Sequence, residues 1–63
     1  MPKLSPDEKS IVELLADAPL HIDLIIDGTQ LSAGRVLAAM TMLELKGYVR
    51  RLPGRIFSLA EQA

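Results

Sequence analysis

Sixty-three residues make one small domain with room for a single modest core, which excludes a large multi-part enzyme. At 49% hydrophobic and 24% charged residues with a formal net charge of -1, the chain is neither a disordered charged tail nor a low-complexity segment. The absence of cysteine and the presence of one histidine exclude a disulfide scaffold, a thiolate metal site, a cysteine nucleophile and a zinc cluster.

In chain order, Ser5-Pro6-Asp7-Glu8 opens a helix. Ser5 is a capping residue, Pro6 suits the first turn, and Glu8 stands at the capping-box position. Ile11, Val12, Leu14 and Leu15 recur at helical spacing and Pro19 stops the run, so the first helix is expected over about 6–17. Leu20-His21-Ile22 has the length of a connector or a minimal strand. Asp23 is then read as the cap of a short second helix, about 24–28, ended by a left-handed Gly28. One of Leu24, Ile25 and Ile26 has to stay exposed, and Leu24 is the candidate.

Ser32 caps a third helix over about 33–46, closed by Gly47 with Lys46 in the last turn, as the helix dipole prefers. Tyr48-Val49-Arg50-Arg51, a Leu52-Pro53-Gly54 turn and Arg55-Ile56-Phe57-Ser58-Leu59 read as a β-hairpin over about 48–59. Residues 60–63 carry no pattern and are expected to fray. The only aromatic residues are Tyr48 and Phe57, so the core must be aliphatic. The longest run without charge or strong breaker, Val36 to Leu43, is far below the roughly 20 apolar residues of a membrane span. Met1-Pro2-Lys3 lacks the apolar stretch of a secretory signal, and a cytoplasmic location without membrane contact is expected.

The net charge hides an asymmetry. Residues 1–31 hold Lys3 and Lys9 against Asp7, Glu8, Glu13, Asp17, Asp23 and Asp27, a formal charge of -4. Residues 32–63 hold Arg35, Lys46, Arg50, Arg51 and Arg55 against Glu44 and Glu61, a charge of +3. Guanidinium groups on a hairpin match phosphate oxygens, and a Pro-Gly turn suits a minor groove. The overall pI near 5.6 limits any nucleic-acid affinity to a weak, salt-sensitive one.

At about 100° per residue, Ala33, Val36, Met40 and Leu43 of the third helix face the core, with Leu37 at the border. Arg35, Ala38, Thr41, Met42, Leu45 and Lys46 lie opposite. A helix that reads base edges presents Arg, Asn, Gln or Ser there, so sequence-specific reading is not expected. Met42 and Leu45, with Leu24, are candidates for protein contact.

Catalysis has no support: the chain lacks Gly-x-Ser-x-Gly, a phosphate-binding glycine loop, a His and Cys pair and metal-ligand spacing, and no cofactor is expected. His21-x-Asp23 is half an acid–base pair at most, and capping by Asp23 accounts for it.

The order of helix, short strand, short helix, turn, longer helix and hairpin is that of a winged helix-turn-helix domain: mainly α (α+β), three helices and a small β-hairpin wing. Pro19-Leu20-His21-Ile22-Asp23, together with Leu43-Glu44-Leu45-Lys46-Gly47-Tyr48-Val49-Arg50-Arg51-Leu52-Pro53-Gly54, resembles the C-terminal winged-helix domain of the DprA (Smf) family of DNA-processing proteins. It departs from that pattern at Gln30, where glycine is usual, and at Leu24 and Arg35, where acidic residues are common. The resemblance implies a module cut from a longer protein, partnered by a Rossmann-like core domain that binds single-stranded DNA and, through the parent protein, by the RecA recombinase. The expected function is auxiliary, nonspecific DNA binding through Arg50, Arg51 and Arg55, with Arg35 and Lys46 assisting, in natural transformation and recombination. The alternative is an interaction or homodimerisation module using Leu24, Met42 and Leu45; a freestanding transcription regulator is a third.

Overall fold

A computed structural model describes residues 4–60. Its elements are α1 (Pro6–Leu15), β1 (Leu20–His21), α2 (Ile22–Thr29), α3 (Ala33–Lys46), β2 (Val49–Leu52) and β3 (Ile56–Leu59). The strands form an antiparallel sheet in the order β1-β3-β2. Leu20 pairs with Phe57 on one side of β3, and Val49 to Leu52 pair with Leu59 to Ile56 on the other. This is a winged helix-turn-helix: α2 and α3 form the helix-turn-helix, and β2 and β3 form the wing.

The core is aliphatic with one aromatic ring. Ile11 and Leu15 from α1, Ile22 and Ile25 from α2, Val36, Ala39, Met40 and Leu43 from α3, and Val49 and Phe57 from the wing are all buried. Each large side chain buried here contributes about 1.5–3 kcal/mol by removal from water. On α3 the buried stripe differs from the helical-wheel expectation by two residues. Ala33 is exposed, and Ala39, one turn before Leu43, is buried instead. Leu37, expected at the border, is 52% exposed.

Helix α1 opens with the expected capping box. The Ser5 hydroxyl accepts from the Glu8 N–H at 3.2 Å, and the Ser5 N–H donates to Glu8 Oε1 at 2.7 Å. The helix stops two residues before the expected end. Acidic Asp17 opposes the dipole at this end, where no basic residue stands in the last turn, and Pro19 disfavours helical geometry at Ala18.

Helix α2 departs from expectation at both ends. Its N-cap is His21, whose Nδ1 accepts from the Asp23 N–H at 3.1 Å; Asp23 lies in the first turn and is not the cap. Its C-cap is Gln30, at φ 59 and ψ 22, whose N–H donates to the Ile26 carbonyl at 3.0 Å. Gly28 is inside the helix. A Cβ there would lie 2.7 Å from Leu14 Cδ2, so the glycine lets α1 and α2 approach closely and does not end the helix.

A left-handed backbone costs a residue with a Cβ roughly 1–2 kcal/mol relative to glycine. Gln30→Gly is therefore expected to raise stability, by about 0.5–1 kcal/mol once the greater freedom of glycine in the unfolded chain is deducted. Chemical denaturation should show a higher midpoint at unchanged slope; an unchanged or lower midpoint refutes this account of the α2 cap.

At α3, Ser32 caps as expected, its hydroxyl accepting from the Arg35 N–H at 3.3 Å, and Gly47 closes the helix at φ 83. The wing loop is Pro53-Gly54-Arg55, one residue later than expected, with Leu52 paired to Ile56 across it. Ala60, expected to begin a frayed tail, donates its N–H to the Tyr48 carbonyl at 2.9 Å; residues 61–63 lie outside the described residues. Among the described residues no helix is long and apolar enough to cross a membrane.

Candidate nucleic-acid interface

The outward surface of α3 is apolar along most of its length. Ala33, Leu37, Ala38, Thr41, Met42 and Leu45 are exposed, and Thr41 turns its hydroxyl back onto the Leu37 carbonyl at 3.0 Å. A hydroxyl occupied by its own backbone is a poor reader of base edges. Apart from Arg35 in its first turn and Lys46 in its last, both paired with carboxylates of α1, this face offers a nucleic acid no charge and no amide side chain.

The five basic residues of the second half divide into two groups. Arg35 forms a two-point contact with Asp7 of α1: Nε donates to Oδ2 at 3.0 Å and a terminal nitrogen to Oδ1 at 2.8 Å. Lys46 Nζ donates to both oxygens of Glu8, at 3.0 and 2.9 Å, and is half-buried. Arg51 donates to Glu44 of α3 at 3.1 Å and its guanidinium lies 5.4 Å from the centroid of the Phe57 ring. Arg50 and Arg55, both exposed, have no ion pair among the described residues.

Strand alternation explains why neighbouring arginines differ. Residues paired across a ladder share a face, so Val49 and Arg51 lie on the inner side with Leu59 and Phe57. Arg50 and Ser58 lie on the outer side, and Arg50 projects to solvent. Arg55 is placed by the loop: it holds a left-handed backbone at φ 60, directly after Gly54 at φ 83, and its carbonyl accepts from the Ile22 N–H at 3.0 Å. The wing tip is thereby tied to the start of α2.

Among the described residues Glu8 is the buried charge, 4% exposed. The Ser5 backbone N–H, then the Lys46 ammonium, hold its carboxyl below the usual 4.5, against the opposing effect of burial. It joins the first turn of α1 to the last turn of α3, so Lys46 braces the fold from the end of the recognition helix.

The sequence comparison bears directly on this architecture: residues 1–55 match the family model described as the DprA winged helix domain. The chain belongs to that family. No curated protein and no solved structure matches it. In this DprA winged-helix domain the three candidate protein-contact residues are exposed, Leu24 by 55%, Met42 by 47% and Leu45 by 77%. Leu37 joins them on the surface. The helical wheel missed it because the wing leaves a cleft beside α3 where the border residue meets no cover.

Proposed function

We propose that this domain is an auxiliary nucleic-acid-binding module of a DprA-type DNA-processing protein, acting in transformation and recombination, and that it binds DNA weakly and without sequence preference through the wing. The observation that carries this reading is the division of the basic residues. Among the described residues Arg50 and Arg55 have no carboxylate partner, whereas Arg35, Lys46 and Arg51 are engaged with Asp7, Glu8 and Glu44. Contact with DNA is then a two-point electrostatic one, and the apolar face of α3 adds no base reading. The Rossmann-like core domain and RecA enter as partners of the parent protein.

Counterion release makes the reading quantitative. Two phosphate contacts give a slope of about -1.8 for log affinity against log salt on duplex DNA, and five would give about -4.5. Titration of the isotope-labelled domain with short single- and double-stranded DNA at several salt concentrations is expected to shift Arg50 and Pro53 to Arg55 with the shallower slope. Arg50→Gln combined with Arg55→Gln should abolish those shifts, and Arg35→Gln should leave them. Retention of affinity in the double variant refutes the reading.

The exposed Leu24, Leu37, Met42 and Leu45 favour a second reading, an interaction module that docks on the core domain or on a second copy. Sedimentation equilibrium at high concentration tests the second copy: a dimer lost in Met42→Ser combined with Leu45→Ser supports it, and a monomer throughout rejects it.

A further inference from the structure

Between α2, the first half of α3 and the wing lies a cleft of about 630 Å3, within the size range of ligand sites. Ile22 and Ile26 line it from α2, Leu37 from α3, and Leu52 and Pro53 from the wing. Three charged residues also border it, Asp23, Arg51 and Arg55. Arg51 donates one hydrogen bond to Glu44, whereas Arg55 has no ion pair among the described residues.

Two features set this cleft apart from an ordinary surface dent. Leu37 is 52% exposed although it borders a concavity that Ile22 and Ile26 make apolar, so a bulky side chain entering there would cover it. Arg55, which has no ion pair among the described residues, follows Gly54 in a left-handed backbone and borders the cleft from the wing.

We propose that the cleft docks an acidic peptide segment bearing a bulky aliphatic side chain, which enters between Ile26 and Leu37 while a neighbouring carboxylate pairs with Arg55. The chemistry favours a peptide over an unpaired nucleobase. The one aromatic residue in the lining, Phe57, is 4% exposed and lies close to the Arg51 guanidinium, so it presents no open face for stacking. Apart from Asp23, Arg51 and Arg55, the rest of the lining is Ile22, Ile26, Leu37, Leu52, Pro53 and Gly54, which offers a base nothing to stack on. An apolar anchor flanked by carboxylates matches both the lining and the Arg55 guanidinium.

This site is separate from the DNA reading in Leu37 and shares Arg55 with it, so peptide and DNA are expected to compete. The test is an NMR titration of the 63-residue domain with an N-acetylated hexapeptide of alternating aspartate and leucine, and with its lysine-for-aspartate counterpart. The acidic peptide is expected to shift Ile22, Ile26, Leu37 and the Leu52 to Arg55 loop, and the basic one to leave them unmoved.

Leu37→Ser should weaken the peptide about tenfold while DNA-induced shifts at Arg50 persist, and Arg55→Gly, which relieves the backbone, should weaken peptide and DNA together. Arg50→Gln should affect DNA alone, which separates failure of this proposal from failure of the DNA reading. No shifts at millimolar peptide, equal shifts with the basic peptide, or oligonucleotide shifts in the cleft that vanish in Leu37→Ser would each overturn the proposal.

Discussion

Replacing Lys46 by Met is expected to destabilise the domain by about 3 kcal/mol, the lower end of the cost of stranding one partner of a buried ion pair, because the lysine is only half-buried. The variant leaves the Glu8 carboxylate under the α1–α3 contact with the Ser5 N–H as its remaining strong donor. A 63-residue domain has a total stability of roughly 3–9 kcal/mol, so the loss brings it close to unfolding at physiological temperature. Glu8→Gln is milder, since glutamine retains the capping box. The double variant should recover much of the loss, because no uncompensated charge remains. Urea denaturation of the four proteins checks this, and equal stability of Lys46→Met and the parent would show the pair to be inert.

The same pair sets an acid limit. Glu8 has its carboxyl lowered by folding, so the ionised form contributes stability that is fully present above the unfolded value of 4.5 and fades as pH falls through the lower folded value. The parent should therefore lose stability on acidification below about pH 4.5 more steeply than Glu8→Gln. Parallel curves in pH-dependent thermal melts would remove Glu8 as the source.

Phe57→Ala is expected to cost about 3–5 kcal/mol, enough to abolish a cooperative thermal transition in a domain of this size. The ring is 4% exposed, sits on the central strand, and is paired with Leu20 on one side and Arg51 on the other. Its removal empties the junction of helices and wing and takes away the ring beside Arg51. Phe57→Leu refills most of the volume and should keep a cooperative melt at a lower midpoint. A sharp circular-dichroism transition in Phe57→Ala within a few degrees of the parent would show that the wing is not anchored there.

Much of this protein follows from short-range patterns. Ser5 with Glu8, Ser32, and Gly47 after Lys46 mark helix ends because capping is decided by residues within one turn, and those ends stand where expected. The α2 boundaries were less legible. His21 and Asp23 are both capping-competent, and local chemistry favours Gly28 over Gln30 as the helix end, yet the helix ends at Gln30. The choice was made by packing: Leu14 lies against the Gly28 backbone, and the Ile22 N–H bonds to the Arg55 carbonyl at 3.0 Å.

The candidate interface divides in the same way. Composition and order determined that the second half is basic and that α3 offers little to base edges, because charge and helical phase are read directly from residue identity. Which cations are paired was decided only by the tertiary structure. The partners of Arg35 and Lys46 lie 28 and 38 residues away in the chain, and Arg51 is separated from Arg50 by the pleat of one strand. Charge is a property of a residue, whereas its availability depends on which carboxylate the fold brings within 3 Å, and no local pattern records that distance.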